Sequence, residues 1–440
     1  MANIVPIRGL RYNLKKAGDM SDLITPPYDV INEQDQQKYY AKSPYNIIRL
    51  EYGETRQADD ENDNRYTRAA AFFDNWRDEN ILNHEDRPAV YLYEQEFTAE
   101  GRRMTRSGFM TGIEVEEYET GTVLPHEETL SKAKADRLQL LRHCRANFSP
   151  IFGLYDDPSL AVEQIAARYK QNEPDMSFTD ENGEAHRIWV VSDPQDLQSV
   201  TGIFKDKKIY IADGHHRYET ALNYHREMQE KGGNSYGFVL MTLVNLHDPG
   251  LVIFPTHRMV KNVKAFSPNE FLAKLSGHFS VTEINLPTVG RSDILTAELQ
   301  KLSGMMSDFN AFLLYLGNSR LYRLTLPRNI DNRSVTTRCG SYSRAWRSLD
   351  VAVLQCLVLE DLLGIDREAR AGGTNLSYTR DEASALARVD TGEYQAVFFL
   401  NPTLVREVTD VAGAGDKMPQ KSTYFYPKLV TGLVINDFTV

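Results

Sequence analysis

The stretch that decides the fold reads Lys208-Ile209-Tyr210-Ile211-Ala212-Asp213-Gly214-His215-His216-Arg217-Tyr218-Glu219-Thr220-Ala221. It begins with an apolar, β-prone run and, after Asp213-Gly214, takes up the spacing of a helix. A helix that starts directly after a strand points backbone N–H groups and the positive end of its dipole beyond the corner. Phosphate is a common ligand of such corners. The stretch therefore predicts a strand, a tight turn at Gly214 and an anion-binding helix start.

The same corner concentrates side chains that can do chemistry. Asp213, His215, His216 and Arg217 supply an acid, bases and a cation within five residues. A guanidinium matches phosphate oxygens bidentately, so a nucleotide- or phosphate-handling site is the preferred interpretation. A plain strand–turn–helix with an exposed, charged first turn is the structural alternative. A metal site built from Asp213, His215 and His257 is less favoured, because no His-x3-His or paired-Cys spacing supports it.

Composition is typical of a soluble globular protein with several domains. A chain of 440 residues is too long for one ordinary core, so we expect two or three domains. Hydrophobic residues make up 41% and charged residues 25% of the chain, as in ordinary globular proteins. The net charge of -11 argues against a surface that coats nucleic acid, which would need clustered Lys and Arg.

The expected location is the cytoplasm. Apolar runs are all shorter than a membrane span, and the first residues lack a signal-peptide pattern. The three cysteines, Cys144, Cys339 and Cys356, are few and widely spaced. We therefore expect buried thiols in a reducing compartment rather than a disulfide framework or a zinc knuckle.

Strand-like and helix-like segments alternate along the chain, which predicts a multi-domain α/β (α+β) fold. We expect an N-terminal α+β region over residues 1–100, a catalytic core over 101–260 and a C-terminal α/β region over 261–440. Residues 89–115 are typical of a β-hairpin that turns at Glu100-Gly101, and Ile47 to Glu51 are typical of a strand.

A second motif, His126-Glu127-Glu128, follows Leu124-Pro125. Carboxylates beside a histidine at the mouth of a phosphate site suit a general base that takes a proton from an attacking hydroxyl. Taken alone, the motif favours the alternative that Glu127 or Glu128 caps the following helix, where acidic residues in the first turn are favourable.

The helix predicted after this motif carries basic residues. Lys134 and Arg137 are three residues apart, with Asp136 between them, so both can share one helix face. By itself this pattern is typical of a solvated helix face.

The run Gly415-Asp416-Lys417-Met418-Pro419-Gln420-Lys421-Ser422-Thr423 imitates a Walker A loop. Gln420 stands where the second glycine belongs, Pro419 removes a backbone donor, and a strand-like segment follows where a Walker loop needs a helix. We therefore reject a P-loop. Lys417, Lys421 and Lys428 remain either contacts to an anionic ligand or solvated surface lysines.

These motifs and several others together carry a resemblance to a known family. The motifs are Pro26-Pro27-Tyr28-Asp29-Val30-Ile31, His126-Glu127-x-Thr129 with Lys134-x-Asp136-Arg137, Ile211-Ala212-Asp213-Gly214-His215-His216-Arg217-Tyr218, Pro255-Thr256-His257-Arg258, Asn401-Pro402-Thr403 and Met418-Pro419-Gln420-Lys421-Ser422-Thr423-Tyr424-Phe425-Tyr426-Pro427-Lys428. They resemble one large bacterial and archaeal family, domain of unknown function 1015. The resemblance covers almost the whole chain and is specific to that family.

A looser resemblance bears on function. Leu124-Pro125-His126-Glu127 followed by Asp213-Gly214-His215-His216-Arg217 is similar to the ParB/sulfiredoxin-like superfamily, in which the helix start grips nucleotide phosphates. Within that superfamily the pattern resembles the free-serine kinases, which phosphorylate serine with ADP or ATP and magnesium. His215 stands where sulfiredoxin carries its catalytic cysteine, so sulfur chemistry is not expected.

This resemblance implies roles for particular residues. Glu127 or Glu128 would activate the serine hydroxyl, and Asp213 would bind Mg2+. The residues assigned to catalysis are His126, Glu127, Glu128, Asp213 and His216. The residues assigned to the nucleotide and its phosphates are Lys134, Arg137, Gly214, His215, Arg217, His257, Arg258 and Lys421.

We therefore expect a phosphotransferase with a ParB/sulfiredoxin-like core that uses ATP or ADP and Mg2+. Its partner would be a small hydroxy metabolite, first of all free L-serine or O-phosphoserine, with no nucleic acid and no membrane, and a homo-oligomer is compatible with the sequence. A phosphoserine phosphatase would use the same site. A nucleotide-binding switch that acts through a protein partner is the other alternative, and a purely structural protein fits least well.

Overall fold

The computed structural model describes residues 1–129, 131–232, 237–328 and 339–439. The chain forms two compact units. Unit 1 comprises Met1–Pro125, Thr129–Val252 and Pro427–Val440. Unit 2 comprises His126–Glu128 and Ile253–Tyr426.

Strands and helices alternate through both units. In chain order the strands are β1 (Ile4–Val5), β2 (Leu10–Tyr12), β3 (Leu82–His84), β4 (Val90–Ala99), β5 (Arg102–Glu114), β6 (Val123–Leu124), β7 (Ala146–Asn147), β8 (Ile151–Tyr155), β9 (Met176–Thr179), β10 (Ala185–Val191), β11 (Ile209–Asp213), β12 (Phe238–Asn245), β13 (Val252–Phe254), β14 (His257–Val260), β15 (Ser280–Asn285), β16 (Phe309–Tyr315), β17 (Arg320–Pro327), β18 (Leu376–Thr379), β19 (Ala396–Leu400), β20 (Tyr424–Tyr426) and β21 (Asn436–Asp437). The α-helices are α1 (Leu14–Ala17), α2 (Glu33–Lys42), α3 (Ile48–Glu51), α4 (Arg65–Asp78), α5 (Ser131–Cys144), α6 (Ala161–Tyr169), α7 (Pro194–Ile203), α8 (His215–Glu230), α9 (Pro268–Leu275), α10 (Arg291–Gly304), α11 (Arg344–Arg347), α12 (Asp350–Val353), α13 (Arg367–Ala371), α14 (Glu382–Asp390) and α15 (Val405–Gly413). A π-helix, Leu354–Leu362, continues α12.

A large mixed sheet forms the centre of unit 1. Counted over the described residues, it has nine strands, eight of them in the order β6-β11-β8-β12-β5-β4-β10-β9, with β1 paired to β5. The pairs β6–β11 and β8–β12 are parallel, and the other pairs are antiparallel. All five residues of β8 are buried, as expected for a strand covered on both faces.

Helix α8 packs against this sheet through one apolar face. Tyr218, Ala221 and Leu222 are buried in the same core as Ile211 of β11 and Met241 of β12. Their spacing of three and four residues places them on one side of the helix. This packing holds the helix start at the end of β11, where the predicted site lies.

The C-terminal residues return to unit 1 and complete it. Strand β21 pairs antiparallel with β7, and the backbone N–H of Leu10 donates to the carbonyl of Ile435 at 2.9 Å. The side chains of Leu433, Val434 and Ile435 are almost fully buried. Residues distant in sequence therefore share one core with the N-terminal part of the chain.

Unit 2 contains an antiparallel sheet. Over the described residues its order is β15-β17-β16-β19-β14-β18, and every neighbouring pair is antiparallel. Helices α10 and α14 cover one face and bury Leu295, Leu302, Ala385 and Leu386 against it. Strand β14, which carries two of the predicted site residues, lies between β18 and β19.

The α/β fold class is confirmed, whereas the ParB/sulfiredoxin-like core stays a prediction. The division of the chain differs from the three predicted regions. The predicted boundary at 100–101 falls within the turn that joins β4 to β5, which pair with each other over residues 91–99 and 102–110. Because paired strands share one sheet, regions 1–100 and 101–260 largely form one unit, which ends at Val252 and resumes at Pro427.

The strand predicted for Ile47 to Glu51 is wrong, because residues 48–51 form α3. The Asn46 Oδ1 atom accepts the backbone N–H of Ile48 at 2.9 Å and starts the turn. Ile47, Ile48 and Leu50 are all fully buried, so the segment lacks the alternation of a half-buried strand. Its apolar run reflects a short buried helix.

The expectation of free thiols holds only for Cys144, which is buried and unpaired. Cys339 and Cys356 form a disulfide, contrary to that expectation. Their Cα atoms are 6.6 Å apart, within the range that a disulfide spans, because the fold closes the 17-residue separation between them. Of the helices that the structure describes, none has the length and apolar character needed to cross a membrane.

Candidate functional site

The predicted strand–turn–helix corner is present in unit 1. Strand β11 ends at Asp213, Gly214 follows with φ +94° and ψ 27°, and α8 begins at His215. This left-handed conformation is favourable only for a residue without a Cβ atom, which explains the glycine. At the N-cap position Gly214 also has no side chain that could cap the helix. The backbone therefore turns tightly into the positive end of a sixteen-residue helix.

Two cations meet the carboxylate of Asp213. Arg217 Nη2 donates to Oδ2 at 3.0 Å, and Lys428 Nζ donates to Oδ1 at 2.7 Å. Arg217 Nη1 also donates to the carbonyl of Pro150 at 2.5 Å. The guanidinium lies directly against Gly214, where a Cβ atom would come within 2.9 Å of Nη2. An arginine and a lysine are thus held together at the start of α8.

These cations stabilise the charge of Asp213. Burial raises the pKa of its carboxyl, but Lys428 and Arg217 outweigh burial and hold the pKa well below its usual range. His215 acts in the same direction. At neutral pH the corner therefore combines one carboxylate with two cations, and the surplus of positive charge suits an anionic ligand.

Glu219 connects the second turn of α8 to the chain around α5. Its Oε2 atom accepts the hydroxyl of Thr129 at 2.6 Å and the ammonium of Lys134 at 2.8 Å. Lys134, predicted to bind phosphate, is therefore placed beside α8 and pairs with a carboxylate there. This pair positions the lysine close to the helix start without an added ligand.

Arg137 lies in a buried cluster of charges. Its Nη1 atom donates to the carbonyl of Glu51 at 2.8 Å and to the Oε1 atom of the same residue at 3.2 Å, and its Nε atom donates to Asp136 at 2.7 Å. The guanidinium also lies 4.0 Å from the ring centre of Tyr28. Burial lowers the pKa of Arg137, but Glu51 and Asp136 raise it above its usual value. These contacts indicate that Arg137 braces the fold.

A cavity of about 40 Å³ lies beside this cluster, and both Arg137 and Arg217 line it. Burial raises the pKa of Glu51 in its wall, while the two arginines oppose that shift. A space of this size has room for water but not for a nucleotide. The cavity, which is lined by residues of both the buried cluster and the corner, therefore does not itself form a nucleotide pocket.

In unit 2, segment 126–128 docks onto the loop that precedes β20. His126 is fully buried, and its Nε2 atom lies 2.9 Å from the hydroxyl of Thr423. Glu127 Oε1 accepts the backbone N–H of Lys421 at 3.0 Å. These contacts join two motifs that are almost three hundred residues apart in sequence.

The two neighbouring carboxylates of this segment differ in their surroundings. Both oxygens of Glu128 lie 3.0 Å from the guanidinium of Arg367, and this pair is exposed. Exposed ion pairs contribute little to stability. Glu127 is held by a loop backbone, whereas Glu128 takes part in a surface ion pair.

His257 and Arg258 of β14 are buried in unit 2. His257 Nδ1 accepts the backbone N–H of Leu400 at 3.3 Å, and its Nε2 atom lies 3.3 Å from Glu382 Oε1. The guanidinium of Arg258 donates to the carbonyl of Lys421 at 3.2 Å. Burial lowers the pKa of Arg258 to about 10. Both residues therefore brace the core and the loop of unit 2.

The predicted site residues thus form two groups, one in each unit. Those in unit 1 are Lys134, Arg137, Asp213, Gly214, His215, His216 and Arg217. Those in unit 2 are His126, Glu127, Glu128, His257, Arg258 and Lys421. None of their catalytic or binding roles is tested by these contacts, so the roles stay predictions.

Lys428 was not among the assigned site residues, although its ammonium contacts Asp213. The sequence had left it open as either a contact to an anionic ligand or a surface lysine. Glu219, the partner of Lys134, was missing as well. It lies four residues after His215 and so on the same face of α8, which is the pattern that could have identified it.

Asp213 as a ligand of Mg2+ also stays a prediction. Each of its carboxylate oxygens contacts a cation of the chain, so neither oxygen faces a metal while Lys428 and Arg217 keep these positions. The contacts favour a different role, in which the carboxylate holds two cations ready for an anion.

Comparison with known proteins gives one strong match. A family described as "Protein of unknown function (DUF1015)" matches residues 4–352. Among curated proteins none matches the chain.

Solved structures give weaker matches. A conserved hypothetical protein from Pyrococcus furiosus is 14% identical, with 73% of this chain and 92% of the other covered at a TM-score of 0.33. A free serine kinase in complex with AMP is 14% identical, with coverages of 72% and 86% and a TM-score of 0.34. SbnI from Staphylococcus aureus is 11% identical, with coverages of 73% and 85% and a TM-score of 0.32. TM-scores this low carry nothing about function over to this chain.

Proposed function

We propose that this chain, which belongs to the DUF1015 family of proteins of unknown function, binds nucleotide phosphates at the start of α8 and acts as a phosphotransferase. The observation that carries the proposal is the meeting of Arg217 and Lys428 on one carboxylate at the positive end of a sixteen-residue helix. A phosphate group offers these cations the same kind of oxygen ligands with more negative charge. The corner is therefore suited to exchange Asp213 for a phosphate oxygen.

Phosphoryl transfer asks the protein mainly to position the reactants and to neutralise charge. In this proposal Arg217 contacts two phosphate oxygens through its planar fork, and Lys428 contacts a third as a point charge. Asp213 keeps both cations oriented before the nucleotide arrives. Gly214 allows the phosphates to approach the backbone closely.

The acceptor that we propose is a small hydroxy metabolite, most simply free L-serine, with ATP or ADP as the donor. Glu127 is the proposed general base that takes the proton of the attacking hydroxyl. The backbone N–H of Lys421 holds its carboxylate in one orientation. Cleavage of O-phosphoserine by water would use the same groups in a phosphatase reaction.

The test is to incubate the full chain with Mg2+, L-serine and either ATP or ADP, and to measure O-phosphoserine by mass spectrometry. Mixtures that start from O-phosphoserine test the reverse direction. Lys428→Met should raise the Kd for nucleotide about tenfold, which corresponds to about 1.4 kcal/mol. Lys207→Met is the matched control, because Lys207 pairs with Asp157 at 3.2 Å elsewhere in unit 1.

The proposed role of Glu127 as general base is tested in the same assay. Glu127→Gln should lower turnover roughly a hundredfold or more while nucleotide affinity is kept, because only proton transfer is lost. Glu128→Gln is the control and should retain activity, and the opposite result would assign the base to Glu128. Nucleotide binding without a product in any mixture would favour a switch protein, and absence of nucleotide binding would overturn the proposal.

A further inference from the structure

We propose a divalent metal site in the hairpin between β9 and β10 of unit 1, with Asp180, Glu184 and His186 as ligands. One ligand atom from each residue lies within 4.8 Å of the others. The site is separate from the corner at Asp213, and the inference does not rest on the proposed phosphotransferase function.

The hairpin itself brings the three side chains together. Asp180 follows the last residue of β9, and Glu184 precedes the first residue of β10. Glu184 and His186 are two residues apart, so their side chains extend from the same face of the hairpin. Asp180 Oδ1 accepts the backbone N–H groups of Asn182 and Glu184, both at 2.9 Å. Oδ1 therefore shapes the turn, while Oδ2 faces His186 and also accepts the side-chain amide of Asn182 at 3.4 Å.

The imidazole of His186 is independent evidence that an ion binds at this cluster. The residue is fully buried, and its Nε2 atom has no hydrogen-bond partner among the described residues. Nε2 lies 3.5 Å from Asp180 Oδ2, in a geometry that makes no hydrogen bond. Two ligands of one tetrahedral ion with bonds of about 2.1 Å are separated by roughly 3.4 Å. A metal ion would satisfy the buried nitrogen, which otherwise carries a desolvation cost.

The ring of His186 is held in the orientation that this requires. Its Nδ1 atom lies 2.7 Å from the hydroxyl of Tyr93, and the ring stacks on Phe178 with 4.7 Å between centroids. When Nδ1–H donates to the hydroxyl oxygen, the lone pair of Nε2 faces the two carboxylates. Metal-bound histidines are commonly held through their second nitrogen in this way.

A second layer of polar groups supports the carboxylates. Gln95 Nε2 donates to Glu184 Oε2 at 2.9 Å and also to the carbonyl of Lys428 at 3.1 Å. The buried guanidinium of Arg106 donates to the carbonyl oxygen of the same Gln95 side chain at 2.5 Å. The positive charge of Arg106 balances part of the negative charge of the cluster, so the hairpin can also form without the ion.

The donor set indicates which ion would bind. One imidazole and two carboxylates form a mixed nitrogen–oxygen set, which suits Zn2+ and neighbouring first-row ions. Mg2+ prefers oxygen ligands and octahedral geometry. We therefore expect Zn2+ and Co2+ to bind and Mg2+ not to compete.

The test is a Zn2+ titration of the full chain after chelator treatment, with a chromogenic chelator as competitor. We expect one ion per chain, and a Co2+ absorption band typical of low-coordinate nitrogen–oxygen ligation. Asp180→Asn and Glu184→Gln should each weaken Zn2+ affinity by at least about tenfold. Both substitutions preserve the shape of the side chain, and Asp180→Asn keeps the oxygen that accepts the turn N–H groups.

His247→Ala is the matched control, because His247 Nε2 pairs with Asp156 at 2.9 Å on the surface of unit 1. It should leave Zn2+ affinity unchanged, whereas His186→Ala should abolish binding. If His186→Ala fails to fold, Glu184→Gln decides the question. The proposal would be overturned if the chain does not bind Zn2+ stoichiometrically. It would also be overturned if Glu184→Gln and Asp180→Asn bind Zn2+ as tightly as the unmodified chain does.

Discussion

Asp213 keeps its negative charge in a largely buried position because two cations contact it. Each carboxylate oxygen has its own partner, Arg217 on one side and Lys428 on the other. Burial alone would raise the pKa of this carboxyl, but Lys428 and Arg217 outweigh burial and hold the pKa below its usual range. The charge state of this one residue therefore governs how the two cations are held.

The charge of Asp213 should make the stability of the protein depend on pH. A carboxyl with a lowered pKa in the folded state stabilises the protein above its unfolded pKa of about 4, and this stabilisation is lost as pH falls toward the folded pKa. Asp213→Asn should lower the free energy of unfolding by roughly 1.5–3 kcal/mol near neutral pH, because Arg217 and Lys428 lose an ionic partner. The difference from the unmodified chain should shrink as pH falls below about 4, where the carboxyl takes up a proton in the unfolded chain but is still ionised in the folded protein.

The measurement is denaturant unfolding between neutral and acid pH. Asp156→Asn is the control, because the carboxylate of Asp156 is exposed and pairs with a surface histidine. A constant difference between Asp213→Asn and the unmodified chain over the whole pH range would contradict the prediction.

At the scale of the element, the start of helix α8 requires a glycine at position 214 for two reasons. Gly214 has a positive φ, and the guanidinium of Arg217 occupies the space where a side chain would start. Gly232, just beyond the other end of α8, also has a positive φ, but its Cβ position is open. Substitution of Gly232 would therefore introduce backbone strain alone, whereas substitution of Gly214 would introduce backbone strain and a clash with Arg217.

Alanine substitutions at Gly214 and Gly232 should therefore have different effects on nucleotide binding. Gly214→Ala and Gly232→Ala should each cost about 1–2 kcal/mol through backbone strain. Only Gly214→Ala should also displace Arg217 and weaken nucleotide binding, by about tenfold if one charged contact is lost. Calorimetric titration with ATP and denaturant unfolding would measure the two effects. Equal nucleotide affinity in both variants would show that the contact at Gly214 does not matter for binding.

At the scale of the whole molecule, the last residues of the chain belong to the first unit. Lys428 reaches Asp213 across a sequence separation of 215 residues. The buried side chains of Leu433, Val434 and Ile435 then complete the core of unit 1. Unit 1 thus depends on residues that follow the whole of unit 2 in the sequence.

The corresponding prediction concerns truncation after Tyr426. This truncation removes the five buried apolar side chains of Leu429, Val430, Leu433, Val434 and Ile435, and should destabilise unit 1 by roughly 10 kcal/mol. Hydrogen exchange should become faster in β2 and β7, which lose Ile435 and β21 as hydrogen-bond partners. Peptides from β16 and β19 in unit 2 serve as the internal reference and should exchange as before. Unchanged exchange in β2 and β7 would contradict the assignment of these residues to the core of unit 1.

Much of the local structure could be predicted, and the failures have identifiable causes. The β4–β5 hairpin and the start of α8 follow from turn residues and periodicity, and both were predicted. Ile47 to Glu51 was predicted as a strand, because a short apolar run does not distinguish a strand from a buried helix. The pairing of Cys339 with Cys356 was not expected, since two cysteines in a sequence do not reveal the distance between them.

The sequence by itself determined the strand, the glycine turn and the amphipathic helix around residues 209–230, because backbone conformation and helical spacing act within a few residues. Only the tertiary structure decided which charges meet there. It placed Lys428 on Asp213, joined Glu127 to the backbone of Lys421, and brought Gln95 to Glu184. Such contacts form between residues far apart in the chain once the core packs. Their energies depend on burial and distance, which no local pattern records.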